Sequence, residues 1–188
     1  MATTTWSVTR LEEDRKRVYN ALSEANKRYK KYVIPNLLNS GKYTKAICNE
    51  NCPPWSDRYK RDANYGIDWD LIMPDGTTLP VMARVLNSDW ITVRVTTRGF
   101  PESEYGKLLR LWSYDLCKDL MMSVAIFNEQ LNKVTHVYWV AAYELFTAIK
   151  DGKVKYGIHK NNSDDNVFYS VTEQDLIDSK IRYIKKIL

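Results

Sequence analysis

"GIDWDLIMPDGTTLPVMARV", residues 66–85, decides the fold. In its first half Ile67, Trp69, Leu71 and Met73 alternate with Asp68 and Asp70, the period-two pattern of a strand whose carboxylates share one face. Pro74-Asp75-Gly76 is turn chemistry, because proline presets one backbone angle and glycine tolerates the positive φ that a tight turn demands. In the second half, about 80–86, Val81, Ala83 and Val85 face inward and Arg84 turns the other way. After Asn87-Ser88-Asp89 the pattern resumes, with Ile91, Val93 and Val95 against Thr92, Arg94, Thr96 and Arg98. Runs at 67–73, 80–86 and 90–97 therefore predict an antiparallel meander with one apolar face and one face of Asp, Arg and Thr.

Upstream, Thr9 and Glu12 form a Thr-x-x-Glu capping box that starts a helix. Leu11, Val18, Leu22, Ala25, Tyr29 and Tyr32 recur at helical spacing, and Pro35 is expected to stop the run. The opposite face carries Arg15, Lys16, Arg17, Lys27, Arg28, Lys30 and Lys31, either a solvated surface or a phosphate-contacting one. Residues 38–66 read as irregular and include "CPPWSDRYKRDANYG", where Trp55, Tyr59 and Tyr65 alternate with Arg58, Lys60 and Arg61. Such a stretch stacks on bases and holds phosphates, or folds as a short helix packing its rings on the core.

Downstream, Pro101 suits the first turn of a helix over about 102–120, with Tyr105, Leu108, Leu109, Trp112, Leu116 and Leu120 as its buried stripe. "MMSVAIF" and "VTHVYWVAA" are apolar enough to be strands covered on both faces. A short helix "AYELFTAIK", the Asp151-Gly152 turn, and strands in "KVKYGIHK" and "VFYSV" follow. A final helix over about 173–187 with Thr172 as its cap closes the chain. The prediction is a single α+β domain over 1–188, its mixed sheet between the first helix and the helix at 102–120.

Composition narrows the function. A formal charge of +5 leans towards an anionic partner, and 13 tyrosines with 6 tryptophans suit a core, an interface or a base-stacking surface. No run approaches the roughly 18 apolar residues of a membrane helix, no secretion signal opens the chain, and three cysteines argue for a reducing, cytoplasmic setting. Cys48 and Cys52 would need two more ligands to hold zinc, and Cys117, His136 and His159 are scattered. His136 is expected to be a strand residue satisfied by backbone partners. Without a glycine-rich phosphate loop or a Ser-His-Asp ordering, a small-molecule enzyme finds little support.

The order helix, three-stranded meander, helix, strand, strand resembles the core of the restriction-endonuclease-like superfamily, the PD-(D/E)XK nucleases. "GIDWDLIMPDGTTLPVMARV" is similar to the family's aspartate-bearing strand, glycine turn and catalytic strand, while "VYWVAAYELF" and "FYSVTEQDLI" are similar to its later strand-then-helix segments. The resemblance spans residues from about 9 to 178. It implies that Asp70, or Asp75 from the literal Pro-Asp, matches the metal-binding aspartate, and that Met82 and Arg84 stand where the second acid and the lysine belong. If the catalytic strand is 91–97 instead, Thr92 and Arg94 take those places. A first-helix glutamate, Glu24 or Glu12, would join Asp70 in holding Mg²⁺.

A methionine thioether or a threonine hydroxyl does not replace a carboxylate around a hard cation, and arginine does not readily give up a proton. The expectation is thus a nucleic-acid-binding protein, for DNA ahead of RNA, with weak or lost Mg²⁺-dependent cleavage. Its contacts would be Arg15, Arg28, Lys31, Arg58, Lys60, Arg94 and Arg98, and its residual site Asp70, Arg84 and Glu24. The competing expectations are a ladder of cross-strand ion pairs from Asp68 and Asp70 to Arg84, Arg94 or Arg98, and a virus- or mobile-element-type interaction factor or inhibitor. A homodimer is compatible with either.

Overall fold

Proline, glycine and the caps set the element boundaries. The computed structural model describes residues 24–50, 52–96, 118–154, 157–160 and 167–188. The first helix, α1, is described over residues 24–32, and after a one-residue turn α2 covers Ile34–Asn39. The first helix thus does stop just before Pro35, as expected, but Pro35 itself sits in the first turn of a second helix, where its missing N–H costs nothing. Strand β1 is Lys45–Cys48 and helix α3 is Asp57–Tyr65, both inside the stretch expected to be irregular. Ser56 caps α3 by accepting from the Tyr59 N–H, and Gly66 ends it at φ 68°.

The strands that follow are β2 (Trp69–Ile72), β3 (Thr78–Leu86), β4 (Ile91–Thr96), β5 (Met121–Asn128) and β6 (Lys133–Ala141). Helix α4 (Ala142–Lys150), β7 (Gly157–Lys160), β8 (Val167–Val171), α5 (Glu173–Asp178) and β9 (Tyr183–Ile187) complete the described chain. Between β2 and β3, Gly76 takes φ 83°, Asp75 accepts from the Thr77 N–H at 2.8 Å, and Met73 bonds back to Thr77. Asp75 is thus an exposed turn residue.

Six strands form the main sheet in the order β1-β2-β3-β5-β6-β9, with β3 and β5 parallel and the other neighbours antiparallel. A separate three-stranded sheet has the order β4-β8-β7. The meander therefore exists, but as β1-β2-β3. The run at 91–96 is a strand, yet it pairs with β8 and not with β3. Its alternation specified a half-buried strand and carried no information about the partner. The C-terminal helix is also corrected. Thr172 caps it through a capping box with Asp175, but it ends at Asp178, and β9 then pairs with β6.

Two apolar clusters cover the two faces of the main sheet. Tyr29 from α1 and Val33 from the turn after it, with Ile34 and Leu37 from α2, pack on Trp69, Leu71, Val81, Ala125, Phe127, Val137 and Trp139. On the opposite face Met82, Met122, Val124, Ile126, Tyr138 and Val140 meet Leu145, Phe146 and Ile149 of α4, Leu176 of α5, and Ile91, Val93 and Val171 of the small sheet. β5 and β6 are buried on both faces, as their composition predicted. The Tyr29 hydroxyl donates to Ser123 Oγ at 2.7 Å and ties α1 to β5, and burial pushes that phenol's pKa up. The helix expected over 102–120 lies almost wholly outside the described residues. No helix among the described residues is long and apolar enough to cross a membrane.

Candidate functional site

Alternation along β2 sends Trp69 and Leu71 to the α1 face and leaves Asp68 and Asp70 on the other, in the layer that holds Met82. Both carboxylates are buried. Each is engaged by donors of the chain itself. Asp70 takes a two-pronged contact from Arg61 of α3, Nε to Oδ2 at 2.9 Å and Nη2 to Oδ1 at 2.5 Å, and a third bond from the Asn49 amide at 2.8 Å. Asp68 accepts from the Ala83 backbone N–H at 2.6 Å and faces Arg84 Nη1 at 3.5 Å. Cross-strand ion pairing was one of the readings open in the sequence, but Asp70's partner, Arg61, comes from a helix and not from a strand. Fork geometry of this kind is what lets an arginine satisfy a buried carboxylate.

The paired register ends with Asp70 opposite Pro80 and Trp69 opposite Val81, and the next residue, Asp68, donates its backbone N–H to the Val81 carbonyl at 3.0 Å. Asp68 is also the carboxylate that meets Arg84. Met82 is fully buried in the core, while Val81, Ala83 and Val85 line the other face. The strand is covered on both sides, not on the Val81 side alone.

Glu24 is not part of this arrangement. It lies exposed on α1, which packs on the face away from Asp70, and its Oε1 is 3.4 Å from Arg28. Glu12 lies outside the described residues. Mg²⁺ needs several oxygens free to face it. Both oxygens of Asp70 are held by Arg61 and Asn49, Asp68 Oδ2 is held by the Ala83 N–H with Arg84 beside it, Met82 is a thioether, and Glu24 is on the wrong face, so the residues do not fit that ion. Among the described residues, no three His, Cys, Asp or Glu side chains cluster as metal ligands.

The candidate contact residues scatter into three settings. On α1, Lys27, Lys30 and Lys31 are exposed, and the Arg28 guanidinium lies 4.2 Å from the centre of the Phe127 ring. Near α3, Arg58 donates to the Cys48 carbonyl and Lys60 pairs with Asp57 at 3.1 Å. The aromatic residues there divide: Tyr65 packs on the core, whereas Trp55 is 81% exposed and Tyr59 38%. Arg94 lies on β4, and its side chain, like Arg15 and Arg98, is outside the described residues.

A second polar cluster went unforeseen. Asp89 Oδ1 accepts from Tyr138 Oη at 2.9 Å and lies 2.7 Å from His136 Nε2, while Thr135 Oγ1 is 3.0 Å from His136 Nδ1. Tyr138 Oη also lies 3.1 Å from Glu173 Oε2, which accepts from Lys185 Nζ at 2.8 Å, and Tyr183 donates to Glu173 Oε1 at 3.1 Å. His136 is therefore satisfied by side chains and not by backbone. The network clamps the β3–β4 loop and the start of α5 to β6 and β9. Burial, helped by the two carboxylates, pushes the Tyr138 phenol up to about 12. Its only sequence signal was two polar residues, His136 and Tyr138, two apart on one strand.

A pH prediction follows from two of these carboxylates. Burial alone would raise Asp89's pKa, but the hydrogen bonds and charges of His136, Tyr138 and Lys185 outweigh it and hold the pKa low. Glu173 is held low chiefly by Lys185. A depressed folded pKa adds stability that is complete above the unfolded value, about 4, and is lost as pH falls through the folded one. Both groups are partly solvated, so the contribution is about 0.5–1 kcal/mol each. In urea unfolding, the stability gap between the wild type and Asp89→Asn with Glu173→Gln should close between about pH 5 and pH 2. A gap independent of pH contradicts this account.

No family model matches the chain, and no curated protein or solved structure matches it significantly.

Proposed function

We propose that the protein binds nucleic acid, DNA ahead of RNA, on a PD-(D/E)XK nuclease-like scaffold whose metal-dependent cleavage is weak or lost. The observation that carries the reading is the solvent face of α1, where Lys27, Lys30 and Lys31 are exposed and Arg28 stands beside them. Phosphate contacts from such a row give affinity without sequence preference. The scaffold reading draws support from the order of helix, meander β1-β2-β3 and, beyond β4, the strand β5 lying parallel against β3. The loss of cleavage draws support from Arg61 and Asn49 on Asp70 and from the core burial of Met82, where the second acid would stand. A reducing, cytoplasmic setting belongs to the same proposal.

The test is fluorescence anisotropy with labelled duplex and single-stranded oligonucleotides across a salt series. Affinity should fall steeply with salt, and Lys27→Glu/Lys30→Glu/Lys31→Glu should weaken binding roughly 100-fold at low salt and lower the salt slope by about 0.7–0.9 per lost contact. Arg28 is left unchanged in this variant because its guanidinium is spread on Phe127. Absence of binding to any oligonucleotide at low salt sinks the reading. It would favour the alternative, a protein-interaction factor, for which the exposed Trp55 and the exposed Ile184 and Ile187 on β9, at 62% and 71%, are the specific support.

A further inference from the structure

Between α1 and the turn joining β5 to β6 lies a depression of about 130 Å³. We propose that it is the seat of a terminal phosphomonoester, 5′ or 3′, of a nucleic acid strand. The inference rests on the nucleic-acid reading above and narrows it to strand ends.

Charge is the first argument. Lys27 and Lys31, one helical turn apart, line the depression together with Arg28, and among the described residues Glu24 is its sole carboxylate. Three cations against one anion leave two positive charges. A phosphomonoester carries about −1.5 to −2 at pH 7, close to that balance, whereas an internal diester carries only one negative charge. The second argument is preorganisation. Arg28 is held between Glu24, at 3.4 Å from its Nε, and the Phe127 ring, at 4.2 Å from its guanidinium carbon. The Tyr32 hydroxyl donates to the Asn132 carbonyl at 2.9 Å and pins the rim formed by the turn, with Asn132 itself at φ 48°. An arginine fixed in this way loses little freedom when its fork meets phosphate oxygens.

Size and aromatic exposure exclude the rest of the nucleotide. The volume is well below the roughly 300 Å³ at which small-molecule pockets begin, so a phosphate fits and a whole nucleotide does not. Phe127 is buried and capped by Arg28, so it offers no open face for base stacking. The seat therefore distinguishes ends by charge and reads no base. Because α1 covers the face away from Asp68 and Asp70, an end held here is recognised without being presented to those carboxylates.

The experiment compares short labelled oligonucleotides, DNA and RNA, carrying a 5′-phosphate, a 3′-phosphate or only hydroxyl ends, at moderate salt. One phosphorylated end should bind roughly tenfold tighter than the hydroxyl-ended strand, the scale of one or two charge-assisted hydrogen bonds. Lys27→Met with Lys31→Met should bring that ratio to near one. Lys30→Met, outside the depression, should weaken all strands alike and leave the ratio intact. Equal affinity for phosphorylated and hydroxyl ends overturns the proposal while the nucleic-acid reading stands. A phosphoserine peptide that competes as well as the phosphorylated strand overturns the assignment to nucleic acid. Inorganic phosphate is titrated in parallel and followed by phosphorus NMR line width. Phosphate binding without any oligonucleotide binding overturns the proposed function and the strand-end ligand but not the anion seat, and binding of neither overturns the seat.

Discussion

Replacing Arg61 with alanine is expected to cost about 3 kcal/mol of folding stability, the lower end of what breaking a buried ion pair costs. Asp70 is only 7% exposed, and without the guanidinium it keeps just the Asn49 amide as a partner. The penalty is the desolvation of a carboxylate that has lost its counter-charge, so it should exceed that of Asp70→Asn, which leaves the half-solvated arginine to find water. Removing both charges together, as Arg61→Met with Asp70→Leu, should recover most of the loss, because an apolar pair of similar volume is often as stable as a buried ion pair. Urea unfolding of the four proteins gives the coupling directly. An Arg61→Ala variant within about 0.5 kcal/mol of the wild type, the usual range for a surface substitution, would mean that Asp70 is solvated and open to other ligands.

How much of this was legible in the sequence depends on how local the determinant was. The β2 turn, the two-sided strands β5 and β6, α4 and the Thr172 cap are written in residues within a few positions of each other. Strand β1, "KAIC", is too short for a period to show, and Lys45 is its sole charged residue. The end of the chain misled for a definite reason. Leu176, Ile177, Ile181, Ile184, Ile187 and Leu188 recur at three and four residues, the helical period, and no glycine interrupts them. The interruption is Lys180 at φ 55°, a left-handed position that non-glycine residues seldom take, and it turns the chain into β9 beside β6. The acid-arginine pairing was half visible. Asp68 with Arg84 follows from neighbouring strands, but Arg61 reaches Asp70 from α3, and Asp89, His136, Tyr138 and Glu173 meet only because β6, β9, a loop and a helix start converge.

The substitution that best separates a recoverable nuclease site from a committed core is Met82→Glu with Arg84→Lys. From the sequence, it should restore metal binding if the strand is a relic with an open face. The geometry argues for a different outcome. Met82 is fully buried in one cluster with Ile67, Ile91, Val93 and Met122, so its replacement puts a carboxylate into an apolar layer, next to Ala83, whose N–H already holds the carboxylate of Asp68. Shortening Arg84 to lysine also weakens the cation that now faces Asp68. An unpaired buried charge costs several kcal/mol, and the like charge beside it adds to that. The expected result is a loss of about 4 kcal/mol or more in urea unfolding, with no calorimetric Mg²⁺ or Mn²⁺ binding in whatever fraction stays folded. Mn²⁺ is the more forgiving probe of the two, since it follows Mg²⁺ in ligand type without as strict a geometry. A double variant that keeps wild-type stability and binds Mn²⁺ would reverse the conclusion. It would show that Asp68 and the new glutamate face solvent together, and that the cleavage site was lost by substitution and not filled in by the core.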